Sequence, residues 1–216
     1  MQNDLSHYRR NYIKKELYEV QVNKHPMQQF QVWFQEADEA MPQEEANAMT
    51  LGTIGVDGFP KNRVVLLKKY TPEGFVFYTN YNSEKGKAII ANPHVCLSFF
   101  WSALEQQVIV KGVAEKTSED DAEAYFKSRP RGSQLGAIAS DQSTVINSRS
   151  VLEEKLNALE ERYPMSDVIP KPKHWGGFLV RPVSVEFWQG RANRLHDRVR
   201  YTLQDINDWK IERLAP

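Results

Sequence analysis

Arg194-Leu195-His196-Asp197-Arg198 gathers two guanidiniums, an imidazole and a carboxylate into five residues. That set suits an anionic ligand together with proton chemistry. A strand-like stretch from Val185 precedes it and breaks into the turn Gln189-Gly190-Arg191-Ala192-Asn193. If the segment after the turn is extended, Arg194, His196 and Arg198 share one face, because strand side chains alternate. An exposed edge strand also carries such charges simply to stay soluble, so the stretch alone decides nothing. Two more clusters carry cations. Arg63 and Lys68 bracket Val64-Val65-Leu66-Leu67, and their odd spacing sends them to opposite faces unless a bulge intervenes. Snorkelling strand ends would serve equally well. Tyr125, Arg129, Arg131 and Ser133 fall at a helix end and in the loop beyond it. Cations are common there for dipole reasons, yet Arg, Ser and Tyr together also make a phosphate-binding set. With the basic stretch around Tyr8 and Tyr12, these clusters are compatible with one phosphorylated substrate.

Composition narrows the classes. The 216 residues fit one large domain or two small ones, and 41% hydrophobic with 26% charged is ordinary for a globular chain. Lys plus Arg balance Asp plus Glu at 28 each, so nothing points to nucleic acid or membrane, and an anion site must be a local concentration of charge. The five histidines, at 7, 25, 94, 174 and 196, lack ligand spacing, so no metal is expected. No GxSxG, P-loop or GxGxxG occurs. The single cysteine, Cys96, lies in an apolar run, reads as a small core residue and cannot form an internal disulfide. The polar first residues look like neither signal nor anchor, no run reaches a membrane span, and a cytoplasmic protein is expected.

The elements that must position these residues follow from pattern. Pro26 opens a helix whose apolar stripe is Met27, Phe30, Trp33, Phe34 and Ala37. Strands are expected at 48–55, 62–70, 75–80, 94–101 and 106–116, with a short helix begun by Ser83 and stopped before Pro93. Ser118 with Asp121, and Ser150 with Glu153, look like capping boxes for two further helices, and Pro130 ends the first. A short helix is expected within 128–143, and a Pro-rich link follows at 165–175. Strands return at 176–182, 183–189, 195–203 and 208–216. Five early strands with turn signals argue for an antiparallel barrel or sandwich. The expectation is a mainly β, α+β chain: a mobile arm or short helix over 1–24, then one β-barrel domain over 25–216.

The order of motifs then supplies a resemblance. EFWQ, four residues, then RLHDR (186–198) resembles the signature of the pyridoxine (pyridoxamine) 5′-phosphate oxidase family. RVVLLK (63–68), FYTN (77–80), YFKSRPRGSQLGA (125–137), QS (142–143), WGGF (175–178) and the terminal WKIERLAP follow in family order, so the likeness covers nearly the whole chain. The resemblance implies a split β-barrel homodimer with two FMN molecules between the subunits. It implies oxidation of pyridoxine 5′-phosphate or pyridoxamine 5′-phosphate to pyridoxal 5′-phosphate, with O2 reduced to H2O2. By matched position, FMN would meet Arg63, Val64, Val65, Leu66, Leu67, Lys68, Tyr78, Thr79, Lys85, Gln107, Gln142, Ser143, Trp188 and Arg198. The substrate phosphate would meet Lys68, Tyr125, Arg129 and Ser133. Arg194, Leu195 and His196 would lie at the pyridine ring, with Arg194 and His196 as the catalytic pair and Asp197 in a structural ion pair. Arg9, Arg10, Asn11 and Tyr12 would cover the substrate as a lid. Glu84, Glu45 and Asn11 depart from the family pattern, Glu84 where a second basic residue is common. The same fold also serves flavin reductase-like and general-stress proteins, and a non-catalytic carrier of FMN or pyridoxal phosphate is the alternative of another class.

Overall fold

The computed structural model describes residues 3–165 and 167–216. The first two residues of the expected arm, and residue 166 of the Pro-rich link, lie outside the described residues. In chain order the elements are α1 (Pro26–Ala40), β1 (Ala48–Ile54), β2 (Pro60–Leu66), β3 (Lys69–Thr71), β4 (Gly74–Asn80) and α2 (Glu84–Ala91). Then come β5 (His94–Trp101), β6 (Gln106–Lys116), α3 (Glu119–Ser128), α4 (Arg131–Ala139), α5 (Ser150–Arg162), β7 (Trp175–Gln189), β8 (Asp197–Asp205) and β9 (Asp208–Leu214). The strand order is β2-β1-β5-β6-β7-β4-β3, with β8 paired to β7 and β9 to β8. The pairs β3–β4, β4–β7, β7–β8 and β8–β9 are all antiparallel.

The chain divides into two compact units. One holds the chain up to Thr50 with Cys96–Gly112 and Pro182–Pro216; the other holds Leu51–Val95 and Val113–Arg181. In the first, α1 begins where the His25 side chain accepts from Met27 N and Pro26 fills a position that needs no amide donor. Its stripe is core: Phe30 packs 5.1 Å from Phe99, and Trp33 meets Phe187 edge-on at 5.1 Å. In the second, Phe126, Leu135, Ile169 and Trp175 form a buried cluster on which Leu156 and Leu159 of α5 rest. Ser83 and Ser118 cap α2 and α3 through their hydroxyls, as their spacing predicts.

Several expectations are corrected. The strand expected over 62–70 is two, β2 and β3, interrupted at Leu67-Lys68, where Lys68 N donates to Val76 O (2.8 Å). Ser150 does not cap α5: Arg149 stands at that position in helical conformation, so Ser150 lies inside the first turn and its hydroxyl pairs with that of Ser148 (2.6 Å). The two strands expected over 176–189 are the single strand β7. Pro182, which lacks an amide donor, falls between the residues that pair with β4 (175–180) and those that pair with β8 (184–189). The last hairpin's first strand starts at Asp197, not Leu195. Cys96 is half-buried rather than a core residue, and it is free. Between residue 3 and residue 24 the chain makes turns, bends and irregular segments, with no helix.

Candidate active site

The second unit contains a cavity of about 700 Å³ where the cations of two clusters meet. Arg63 to Leu66 of β2, Lys68, Tyr78 to Asn80 of β4, Lys85 of α2, Tyr125 of α3, Arg129 just past its end, and Ser133 of α4 all line it, with Gln142 and Trp175. Arg63 and Lys68 share this cavity despite their odd spacing because the strand breaks between them, which cancels the alternation argument. Lys85 is only 7% exposed. Its Nζ sits among neutral oxygens: Gln142 Oε1 at 2.8 Å, Thr79 Oγ1 at 3.2 Å and Ser83 Oγ at 3.4 Å. Burial, reinforced by the Arg63 guanidinium, presses its pKa down to about 8. Glu84 turns instead to Lys61 and, at 3.6 Å, to Arg63.

Across the cavity the rings of Tyr78 and Tyr125 stack at 4.0 Å, with Trp175 parallel to Tyr78 at 5.5 Å. The Arg129 guanidinium lies 4.7 Å over Trp175, and its Nη1 is buried with no hydrogen-bond partner. Burial lowers its pKa, so the charge is held in a poorly solvated place ready for an anion. Arg131, grouped with Arg129 in the sequence, faces elsewhere: it donates to the carbonyls of Tyr163, Pro164 and Asp167 and pins the link after α5. Leu67 is buried in the core, and Ser143, at φ 74°, is exposed beside Gln142.

The first unit has a cavity of about 530 Å³. One wall is Tyr8 to Tyr12; the other is Arg191, Asn193, Arg194 and His196. The segment after Gly190 is a tight turn, Ala192–Arg194, in which Asn193 (φ 56°) and Arg194 (φ 61°) are both left-handed. Arg194 and His196 therefore precede the strand, and the period-two expectation that they share a strand face with Arg198 fails. The His196 Nδ1 accepts from Arg191 N at 3.0 Å, so the neutral ring carries its proton on Nε2. Burial first, then the Arg194 charge, lowers the His196 pKa and favours that neutral form. The ring lies 4.7 Å from Trp188 and 5.9 Å from Tyr12. A Cβ at Gly190 would come within 2.7 Å of Tyr12, so glycine lets the arm approach.

Asp197 makes the expected ion pairs, with Arg191 (3.0 Å) and Arg213 (2.7 Å), and also accepts from Leu17 N. Arg198 is bidentate to Glu186 at 2.7 and 3.1 Å and lines a separate recess with Arg200 and Glu212. Gln107 donates to Ser98 (3.1 Å), and Leu195 is exposed. Among the described residues no cluster could hold a metal ion. Trp175 and Arg191 were missed as site residues. The WGGF run contained a signal for the first, an aromatic at a strand start; the second stood in plain view as one more cation in the turn.

The family model described as pyridoxamine 5′-phosphate oxidase matches residues 34–163, and that of the pyridoxine 5′-phosphate oxidase C-terminal dimerisation region matches 175–216. The chain belongs to the pyridoxamine 5′-phosphate oxidase family. It is 60% identical to the pyridoxine/pyridoxamine 5′-phosphate oxidase of Flavobacterium johnsoniae, over 99% of either chain. It is 56% identical to that of Christiangramia forsetii over the whole of both. Among solved structures, PhzG from Burkholderia lata 383, in complex with tetrahydrophenazine-1-carboxylic acid, superposes with a TM-score of 0.85. That alignment is at 27% identity and covers 93% of this chain and 98% of that one. The fold is the split β-barrel of this family, as the resemblance implies. No helix among the described residues is long and apolar enough to cross a membrane.

Proposed function

We propose that the chain oxidises pyridoxine 5′-phosphate and pyridoxamine 5′-phosphate to pyridoxal 5′-phosphate, with FMN as cofactor and O2 as the acceptor that becomes H2O2. The observation that carries this reading is the cation set of the second-unit cavity: Lys85 held only by neutral oxygens, and Arg129 with a buried, unpartnered Nη1. Both are suited to phosphate, and a dianion would offset the burial that depresses the lysine's pKa. The residues present thus fit a phosphate-bearing flavin.

Arg63, Thr79, Lys85 and Gln142 would hold the FMN phosphate end, with Val64 to Leu66 and Tyr78 beside the flavin. Lys68, Tyr125, Arg129 and Ser133 would hold the substrate phosphate. When bound, FMN supplies the two-electron oxidising chemistry and hands the electrons to O2. The protein positions the substrate carbon and manages charge. Arg194 orients the pyridine ring and stabilises charge on it. His196, neutral with its proton on Nε2, donates a hydrogen bond to the alcohol oxygen or amine nitrogen. Trp188 and Arg198 would complete the flavin site in a homodimer, with Glu186 fixing the guanidinium, and Arg9 to Tyr12 would cover the substrate. The visible spectrum tests the proposal. The purified protein should be yellow, bleach on anaerobic addition of pyridoxine 5′-phosphate and release H2O2 once air returns. A colourless protein that stays inactive with added FMN would refute it, and flavin that binds but never bleaches would make the chain a carrier.

A further inference from the structure

The two walls of the first-unit cavity come from opposite ends of the sequence, and one residue outside both walls ties them together. Glu105 closes the four-residue turn between β5 and β6, with Leu104 N bonded to Trp101 O at 3.0 Å. It takes φ 57° there, a left-handed conformation usually left to glycine or asparagine, and is only 9% exposed. Its carbonyl accepts from Gly190 N (2.8 Å) and from the Gln189 side chain (3.2 Å), the residues just before the Arg191–His196 wall. Its carboxylate accepts from two successive amides, Ile13 N at 2.9 Å and Lys14 N at 3.1 Å, just after the Tyr8–Tyr12 wall. The neighbouring Ala103 carbonyl takes the Lys14 ammonium. Gln106 and Gln189, both fully buried, are joined at 3.1 Å and lock the turn to the strand end.

We propose that Glu105 is a positioning residue for the reaction: its main chain fixes the start of the loop bearing Arg194 and His196, and its carboxylate clamps the N-terminal arm so that Tyr12 packs on Gly190 and His196. A side chain chosen for the turn alone would be glycine. A strained backbone persists where the surroundings over-determine it, and here the surroundings are the two walls. A carboxylate bonded to a pair of amides is also a charge-assisted contact, stronger than a neutral one. The clamp rests on the oxidase reading only for its kinetic readout; the release of the arm is measurable without any activity.

Glu105→Gly separates the two roles, because glycine accepts the left-handed turn and keeps the carbonyl contacts while removing the carboxylate. In the full-length holoenzyme, trypsin cleavage at Arg9, Arg10, Lys14 and Lys15 should accelerate by about tenfold, the loss of one charge-assisted contact. KM should rise several-fold with kcat changed less, Tm should hold, and Glu105→Gln, which keeps an acceptor, should lie between the two. Unchanged cleavage and KM in Glu105→Gly would overturn the proposal, as would a fall in Tm with the arm still protected. A released arm in a chain without oxidase activity would leave the clamp standing and remove the proposed function instead.

Discussion

Lys85 is the residue where placement and function pull against each other. A lysine at 7% exposure among neutral oxygens keeps its charge at a cost, and its pKa near 8 measures that cost against the ordinary 10.5. Because the folded pKa lies below the unfolded one, the flavin-free folded state binds fewer protons between pH 8 and 10.5. Stability therefore rises as pH climbs through that window, and the penalty is fully present below it. Lys85→Met should stabilise the flavin-free protein at pH 7 by on the order of 2 kcal/mol and flatten the alkaline rise, while weakening flavin retention. Thermal unfolding against pH, with flavin retained on gel filtration, measures both. A destabilised flavin-free variant would contradict the assignment. At this scale the sequence was partly legible. Lysine at 85 and arginine at 129 could be matched to a motif, but burial, the indole under Arg129 and the proton position on His196 depend on chain segments far apart in sequence.

Helix α2 illustrates how an element outweighs its own propensity. Gly86 lies one residue past Lys85, and its amide donates to the Ser83 cap at 3.2 Å. A Cβ there would sit 2.4 Å from Tyr81 O and 2.6 Å from Asn80 O, both backbone atoms that cannot swing aside. Alanine improves helix propensity by about 1 kcal/mol, but overpacking against fixed backbone costs about 1–3 kcal/mol or more, so the clash wins. Gly86→Ala should lower Tm and loosen flavin together, since the shift displaces Lys85; an unchanged or raised Tm would show that the helix end yields freely. Most elements could be read from pattern because caps and periodicity are local: Ser83 and Ser118 serve where their spacing put them. Ser150 did not, because Arg149 occupies the cap position with helical angles and leaves Ser150 inside the first turn. The breaks at Leu67-Lys68 and before Asp197 were illegible for a related reason. Each is imposed by a partner strand or a turn conformation that no short window of sequence encodes.

Across the whole chain, the residues expected to act together belong to two compact units, with Lys85 and Arg129 in one and Arg194 and His196 in the other. The C-terminal stretch matches a dimerisation region, and Val56 and Phe59 stand exposed at the β1–β2 turn. Light scattering should give twice the 25.0 kDa chain mass; a stable, active monomer would rule out a site shared between subunits. β7 gives this arrangement a further consequence, for the kinds of genetic change the protein tolerates. Trp175 stands at its first position and Trp188 near its last. Besides its neighbour β6 it pairs with β4 over 175–180 and with β8 over 184–189, leaving residues 181–183 between the two. Loss of one codon there would force a choice of frame, because a one-residue slip turns every following side chain to the opposite face. Keeping the β4 register would misplace Trp188 and the loop beyond it; keeping the β8 register would withdraw Trp175 from beneath Arg129. A single-residue deletion at 181–183 would thus damage one cavity or the other while leaving the rest of that cavity's lining in sequence.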